Sequence, residues 1–378
     1  MMATAAGGFE PPPYPYDRLD DLKTVAADHE GGIVDLSIGT PYDPPPPAVI
    51  EALASSGAER GYPPSIGSKR LREAATGWMR RRLGVDVAVD AVAACVGTKE
   101  FVTSTAHWLQ LRDPSRDTVL YPAVAYPSYE MSATFAGCRA VAVDVDDLDA
   151  VDPDDARRAL CLWVNSPANP TGRLTDLGAA AAWGRAHGVP VLSDECYVEF
   201  TWQGPPRTIL EHGPDGVLAV HSLSKRSNLA GLRAGFYAGD ADLVRYLSEV
   251  RKHAGAMVPG PVQAAAAVAL DDDVHVDEQR GRYAERIAFF QDTLASVGVA
   301  SLPPAGSFYI WADAPDGDAW ALTAWLAKWG GLLVAPGDLY GVAGKGHVRI
   351  AMVQPMERLE LVARRLAAAP CGPVPDLG

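Results

Sequence analysis

The sequence predicts an α/β protein built around a mostly parallel sheet. From about Pro46 to Val262, short apolar runs alternate with amphipathic segments of helix length, which is typical of strands covered by helices. A helix over Leu177–His187 is indicated by its periodicity, and Gly188 followed by Pro190 is typical of a helix end. The apolar runs that predict the middle strands are Thr118–Tyr121, Leu160–Val164, Val189–Ser193 and Val217–His221.

After Pro261 the pattern changes, which predicts a second and smaller α+β domain. Its expected elements are a long helical stretch over Val262–Val297, strands near Phe308–Ala312 and His347–Met352, and a final helix over Met356–Ala368. We expect residues 1–45 to form an N-terminal arm and part of the small domain. Residues 46–262 would then form the large domain and residues 263–378 the small C-terminal domain.

Composition and charge exclude several classes of function. The 378 residues are 48% hydrophobic, but no apolar run reaches the roughly eighteen residues that a membrane span needs. The formal net charge of -14 and the dispersed basic residues argue against nucleic acid as a partner. Residues 1–13 lack the pattern of a secretory signal, so we expect a cytoplasmic protein that needs no membrane.

Cysteine usage indicates neither a disulfide framework nor a metal site. The five cysteines are scattered, odd in number and without CxxC spacing, so we expect reduced thiols and no bound metal. They are Cys95, Cys138, Cys161, Cys196 and Cys371.

Polar residues follow three of the predicted strands, at the edge where an open α/β sheet binds ligands. Each motif has an ordinary explanation on its own, as a turn, a helix cap or a surface loop. Their succession along one sheet edge indicates a shared site. The motifs are Asn165-Ser166-Pro167-Ala168-Asn169-Pro170-Thr171-Gly172, Asp194-Glu195-Cys196-Tyr197 and His221-Ser222-Leu223-Ser224-Lys225.

In this order and spacing the motifs resemble those of the fold type I, class I/II aminotransferases, and the resemblance covers nearly the whole chain. It implies that family's fold, in which a large domain with a mostly parallel sheet flanked by helices carries a smaller α+β domain. It also implies pyridoxal 5′-phosphate (PLP) as cofactor, amino acids and 2-oxo acids as substrates, and a homodimer with shared active sites.

The resemblance implies four residues that act on the cofactor ring. Lys225 would hold the cofactor as a Schiff base and then move the proton of the substrate α-carbon, as a desolvated amine can. Asp194 would keep the pyridine nitrogen protonated. Asn169 and Tyr197 would hydrogen-bond the ring 3′-oxygen and stabilise its anion. Lys225, Asp194 and Tyr197 form the expected catalytic set.

A further group would bind the cofactor phosphate. Hydroxyl groups and a guanidinium close to the lysine in sequence, together with the amides of a helix start, suit a dianion. For Lys99, a side chain that simply faces solvent is the alternative. The expected residues are Gly97, Thr98, Lys99, Ser222, Ser224 and Arg233, and the resemblance adds Tyr62, which would reach the phosphate of the neighbouring subunit.

Residues at the substrate complete the expected site. Tyr126 would stack on the pyridine ring, although a core tyrosine is the alternative. By resemblance, Gly39 and Asn169 would lie beside the substrate carboxylate. Arg349 lies within a predicted strand, where burying a guanidinium is costly unless it meets an anion. It matches the family arginine that binds the substrate α-carboxylate, with a structural ion pair as the alternative.

Other activities remain open at this stage. PLP-dependent carbon-sulfur lyases share every cofactor residue named above, and the sequence barely separates the two reactions. A PLP-binding transcription regulator would need an added DNA-binding domain, whereas the sheet region begins near residue 46. No glycine-rich motif for a dinucleotide follows a predicted strand, so such a cofactor has no support.

Within the family, the sequence is most similar to the actinobacterial N-succinyldiaminopimelate aminotransferases of lysine and cell-wall biosynthesis. This implies glutamate as donor and N-succinyl-2-amino-6-ketopimelate as acceptor, with aspartate, aromatic or secondary-metabolite substrates as alternatives. We expect the run Arg251-Lys252-His253 to meet the distal carboxylate, unless it is a solvated helix end. The resembling stretches are Ile33–Pro41, Val220–Gly231, Arg251–Gly255 and Val334–Asp338.

Overall fold

The structure, a computed structural model, describes residues 9–369 and Gly372. Its strands are β1 (Val34–Asp35), β2 (Val92–Cys95), β3 (Thr118–Pro122), β4 (Arg139–Val143), β5 (Ala159–Asn165), β6 (Val191–Asp194), β7 (Val217–Ser222), β8 (Gly235–Gly239), β9 (Tyr309–Asp313), β10 (Leu332–Leu333), β11 (Ala335–Pro336) and β12 (His347–Ala351). Seven of them form a large sheet of order β2-β8-β7-β6-β5-β3-β4.

Helices alternate with these strands along the chain. They are α1 (Asp20–Ala27), α2 (Pro47–Ser55), α3 (Lys69–Trp78), α4 (Thr98–Arg112), α5 (Ser128–Ala136), α6 (Pro153–Arg158), α7 (Leu177–His187), α8 (Leu223–Arg226), α9 (Ala241–His253), α10 (Gly260–Asp271), α11 (Val274–Ser296), α12 (Ala319–Gly330) and α13 (Met356–Ala367).

The direction of the strands brings polar residues to one edge of the large sheet. Strands β4, β3, β5, β6 and β7 pair in parallel, whereas β8 pairs antiparallel with β7 and β2. Parallel strands end at the same edge, so Asn165, Asp194 and Ser222 share it. Every residue of β5, β6 and β7 is buried, which explains their apolar sequences. The predicted α/β class and middle strands are confirmed.

Helices cover both faces of the large sheet. On one face of β5, Leu162 and Val164 pack in a core with residues of α3, α7 and α10. On the other face, Trp163 packs in a core with residues of α4, α5 and α9. This alternation follows from the two-residue period of a strand. The central strands β5, β6 and β7 are therefore shielded from water on both faces, which leaves their carboxyl ends as the place where a ligand can approach them.

A second core lies around a three-stranded antiparallel sheet of order β11-β12-β9. Helices α11, α12 and α13 contribute buried residues to it, and β1 joins it through parallel pairing with β10, where Val34 lies opposite Leu332. Helix α10 instead packs on α2 and α3. The predicted domain division, into residues 1–45, 46–262 and 263–378, stays a proposal.

The single helix expected over Val262–Val297 is wrong, because the structure has two helices there, α10 and α11. Between them Asp272 adopts an extended backbone conformation (φ -102°, ψ 110°). Its carboxylate accepts a hydrogen bond from the Val274 N–H (2.9 Å). Aspartate side chains compete with the helix backbone in this way, and the break falls within the run Asp271-Asp272-Asp273.

Three structural findings bear on the excluded classes of function. Within the described residues, no helix is long and apolar enough to cross a membrane. In the same part of the chain, no group of His, Cys, Asp and Glu is arranged to hold a metal ion. Cys95, Cys138, Cys161 and Cys196 are free thiols, and Cys371 lies outside the described residues.

A buried ion-pair network anchors the end of helix α8. The Glu199 side chain, 3% exposed, accepts hydrogen bonds from Arg226 Nε (3.1 Å), Arg82 Nε (3.0 Å) and Trp78 Nε1 (2.6 Å). Arg226 also pairs with Asp273 (3.2 Å). Because Arg226 follows Lys225 directly, this network holds the lysine-bearing turn against the segment after β6 and the end of α3.

The Glu199→Gln substitution should lower the urea midpoint of unfolding. It removes the anion between two cations, and breaking one side of a buried ion pair costs about 3 kcal/mol. Glu249→Gln is the matched control, since Glu249 is 64% exposed and lies 4.0 Å from Lys252. Such exposed pairs contribute little, so its midpoint should stay near that of the unmodified protein. Equal midpoints for the two variants would contradict the anchoring role.

Candidate active site

A cavity of about 440 Å³ opens at the edge of the large sheet where the parallel strands end. It lies where side chains that follow β5, β6 and β7 meet residues from the second core. Twelve residues singled out from the sequence line it: Gly39, Thr98, Lys99, Tyr126, Asn169, Asp194, Tyr197, Ser222, Ser224, Lys225, Arg233 and Arg349.

Two other predicted residues do not line this cavity. Gly97 lies beside it with φ +72°, a backbone conformation that favours glycine, and the end of the Arg233 side chain lies against it. Tyr62 lies on the connection before α3, and its side chain is 98% exposed. Its predicted contact with a neighbouring subunit remains a prediction.

The donors at one end of the cavity suit a phosphate. Ser222 ends β7 and caps α8, accepting a hydrogen bond from the Ser224 N–H (3.1 Å). Arg233, in a left-handed conformation with φ +55°, lies against Gly97 at the start of α4. Hydroxyls, a guanidinium and the N-terminus of a fifteen-residue helix are a donor set that favours a dianion.

Asp194 is a buried carboxylate at the end of β6. Its Oδ1 accepts a hydrogen bond from the Cys196 N–H (3.1 Å), and its Oδ2 accepts one from the Tyr129 hydroxyl (2.9 Å). Burial raises the pKa of Asp194 above its ordinary value, although these donors oppose the rise. A carboxylate in such a place is suited to hold a proton on a nearby ring nitrogen.

Lys225 lines the cavity from α8. Its Nζ donates a hydrogen bond to the Gly39 carbonyl and lies 5.9 Å from the centre of the Phe308 ring. Burial lowers the pKa of Lys225 to about 8, and the nearby Arg349 and Arg233 add to the effect. A lysine with this pKa has a neutral, nucleophilic fraction near neutral pH.

Arg349 is a buried cation on β12 that no carboxylate of the described residues neutralises. It is 2% exposed, and its Nη1 donates to Asn169 Oδ1 (2.8 Å) while its Nη2 donates to the Ser37 carbonyl. Its carbon Cζ lies 4.3 Å from the Tyr309 ring centre and 4.8 Å from that of Tyr340. Its Nε has no partner within the described residues.

This environment keeps Arg349 charged. Burial alone would lower the pKa of the guanidinium, but surrounding tyrosines, Tyr16 first among them, raise it above its ordinary value. Tyr309 also hydrogen-bonds Tyr197 through their hydroxyls (2.8 Å). A buried cation that has only neutral hydrogen-bond partners is a binding group for an anion, which favours the predicted role over a structural ion pair.

Sequence reasoning missed the aromatic residues that close the cavity. Tyr14 and Tyr16 of the N-terminal segment line it, and the Tyr16 hydroxyl lies 2.7 Å from that of Tyr340. Lys99 Nζ lies 3.5 Å from the Tyr14 hydroxyl and 6.0 Å from the centre of the Tyr126 ring. The alternation Pro13-Tyr14-Pro15-Tyr16 was the available signal, since two large aromatic side chains in a short proline-rich arm are unusual as solvent-facing residues.

The prediction for the run Arg251-Lys252-His253 is wrong, because none of its residues lines the cavity. Arg251 is 1% exposed and makes a two-pronged ion pair with Glu100 (2.7 Å for both contacts). The Lys252 side chain is 63% exposed. The run is the C-terminal end of α9. Arg251 has a structural role there, and Lys252 faces solvent.

Comparisons with known proteins give consistent results. The family described as aminotransferase class I and II matches residues 31–366. A probable aminotransferase of Mycobacterium tuberculosis is 44% identical over 96% of this chain and 88% of that protein. The 4-dedimethylamino-4-oxo-anhydrotetracycline transaminase OxyQ of Streptomyces rimosus is 43% identical over 94% of this chain and 99% of that protein.

Among solved structures, a probable N-succinyldiaminopimelate aminotransferase from Thermus thermophilus superposes with a TM-score of 0.83. It is 32% identical in sequence, and the alignment covers 93% of this chain and 98% of that one.

The pKa of Lys225 gives a prediction for cofactor loading. When the protein without cofactor is mixed with PLP, trapping with borohydride and peptide mass spectrometry should place the adduct on Lys225. Because the reactive form is the neutral amine, the initial loading rate should rise with pH through a midpoint near 8. A midpoint near the ordinary lysine value of about 10.4, or an adduct on another lysine, would contradict the assignment.

Proposed function

The chain belongs to the class I and II aminotransferase family, which is PLP-dependent, and from that premise we propose its substrates. We propose that it moves an amino group from L-glutamate to a 2-oxo acid that carries a second, distant carboxylate. The proposed acceptor is N-succinyl-2-amino-6-ketopimelate, which places the reaction in lysine and diaminopimelate biosynthesis. Two cations that line the cavity, Arg349 and Lys99, support this proposal.

The residues present fit the cofactor. Its phosphate would be held by the side chains of Ser222, Ser224, Thr98 and Arg233 and by the backbone amides that follow Gly97. Bound PLP supplies an electron-withdrawing ring that makes the α-proton of an attached amino acid acidic. Tyr62 would contact the phosphate in a neighbouring subunit, so we propose a homodimer with shared sites. Its fully exposed side chain is available for such a contact.

Four residues would perform the chemistry around the ring. Lys225 Nζ would take the proton from the substrate α-carbon and transfer it to the adjoining cofactor carbon. A lysine pKa near 8 permits both steps. Asp194 would keep the ring nitrogen protonated. Asn169 and Tyr197 would hydrogen-bond the ring oxygen, and Tyr126 would stack on the ring.

The observation that carries the proposal is the unneutralised guanidinium of Arg349. It lines the same cavity as Lys225, and it can pair two of its nitrogens with the α-carboxylate shared by amino acids and 2-oxo acids. Asn169 and the Ser37 carbonyl already orient it. Binding of the carboxylate would therefore supply the missing anion and place the α-carbon near Lys225.

Lys99 is the proposed binding group for the second, distant carboxylate of the acceptor. It is the remaining lysine that lines the cavity, and it lies between Tyr14 and Tyr126. Burial alone would lower its pKa, but the neighbouring Tyr126 and Tyr14 outweigh burial and raise the pKa, so the amine stays charged. A cation held at the cavity wall by aromatic rings is suited to the far end of a long dicarboxylate.

A second candidate acceptor comes from the OxyQ relative. OxyQ is 43% identical over nearly the full length of both chains, and its activity as a 4-dedimethylamino-4-oxo-anhydrotetracycline transaminase makes a polycyclic ketone of secondary metabolism a specific alternative. The aromatic wall formed by Tyr14, Tyr16 and Tyr126 would suit such a substrate by stacking. The two candidate acceptors differ in the charge of the group that would contact Lys99.

The substitution Lys99→Met tests the proposed acceptor. For the reaction with N-succinyl-L,L-diaminopimelate, kcat/KM should fall at least about tenfold, because a charge-assisted contact is lost. For L-alanine, which has no distal group, it should hardly change. Lys252→Met is the matched control and should affect neither substrate, since Lys252 lies outside the cavity.

An equal loss for the two substrates would instead place Lys99 at the cofactor phosphate. No turnover of the succinylated substrate by the unmodified enzyme, together with amination of a polycyclic ketone, would replace the first candidate with the second.

A further inference from the structure

The Asp194 carboxylate is held by donors inside the protein, one for each oxygen. The Cys196 backbone N–H donates to Oδ1 (3.1 Å), and the Tyr129 hydroxyl donates to Oδ2 (2.9 Å). Asp194 is 7% exposed, so water contributes little to its solvation. The orientation of the carboxylate in the cavity therefore depends on these two contacts.

Tyr129 is held rigidly by the core of the large sheet. It lies in the first turn of α5 and is fully buried. Its ring stacks on that of Trp163 from β5, with centres 5.2 Å apart and planes inclined by 26°. Trp163 is also fully buried, so the Tyr129 hydroxyl cannot turn away from Asp194 without disturbing the packing.

The Tyr129 hydroxyl also retains its proton. Burial raises the pKa of Tyr129 well above its ordinary value, and the charge of Asp194 raises it further. The group is thus a permanent donor to the carboxylate. A donated hydrogen bond favours the charged form of a carboxylate, so it reduces the tendency of Asp194 to take a proton.

We propose that Tyr129 is a positioning residue for the reaction and acts through Asp194. By donating to Oδ2 it would fix the plane of the carboxylate and keep it anionic, so that the proton stays on the cofactor ring nitrogen. The inference rests on the role of Asp194 in the proposed function. Tyr129 has no part in binding the cofactor or substrate in that function.

The test measures the ring nitrogen directly. Holoenzyme is loaded with PLP carrying ¹⁵N in the ring, whose chemical shift reports protonation. The unmodified enzyme should show the protonated value at pH 7. Tyr129→Phe keeps the ring against Trp163 but removes the donor, so it should move the shift toward the unprotonated value. The half-reaction with L-alanine should slow about tenfold, the effect of losing one hydrogen bond to a charged group.

Tyr237→Phe is the matched control. Tyr237 is equally buried, lies on β8, and its hydroxyl has no hydrogen-bond partner within the described residues. This variant should leave the nitrogen shift and the rate unchanged. A Tyr237→Phe enzyme that changed as much as Tyr129→Phe would overturn the proposal, because loss of any buried hydroxyl would then explain the result.

Asp194→Asn separates this inference from the proposed function. In that background Tyr129→Phe should cause no further change in the nitrogen shift, since the two residues act as a pair. If Asp194→Asn alone leaves the shift unchanged, the proposed role of Asp194 is wrong. If Asp194→Asn moves the shift and Tyr129→Phe does not, only the role of Tyr129 is overturned.

Discussion

The buried guanidinium of Arg349 is the constraint that the active-site end of the molecule must satisfy. A cation taken out of water is costly unless polar groups and an anion surround it. The protein surrounds it with groups from four parts of the chain, namely the Ser37 carbonyl after β1, Asn169 after β5, and the rings of Tyr309 and Tyr340. In the proposed function the substrate α-carboxylate would supply the anion, so that one residue would both join the two cores and bind a ligand.

The large sheet positions the cavity residues that follow β5, β6 and β7. Since β5, β6 and β7 are parallel neighbours, the residues that follow them must meet at one edge. The buried pair of Arg226 and Glu199 then fixes the turn that carries Lys225, and the stack of Tyr129 on Trp163 fixes the environment of Asp194. Packing around the large sheet thus determines the positions of Lys225 and Asp194.

This geometry explains which features could be predicted from the sequence. Strand ends and their motifs are local, so Asn169, Asp194 and Lys225 could be placed together, and the apolar runs identified the buried strands. Contacts between distant segments could not be predicted in this way. The approach of Tyr16 to Tyr340 joins residues 324 apart, and the Arg251 ion pair with Glu100 joins residues 151 apart. Charge alone therefore suggested a substrate role for a run in which Arg251 is structural and Lys252 faces solvent.

The most direct test of the account compares two amines that differ only in the α-carboxylate. L-alanine and ethylamine are each added to the PLP-loaded enzyme, and the decay of the cofactor absorbance gives the rate of each half-reaction. If Arg349 binds the carboxylate, kcat/KM for L-alanine should exceed that for ethylamine by on the order of 100-fold, since a buried charged contact is lost with ethylamine. Comparable values for the two amines would contradict the central role of Arg349.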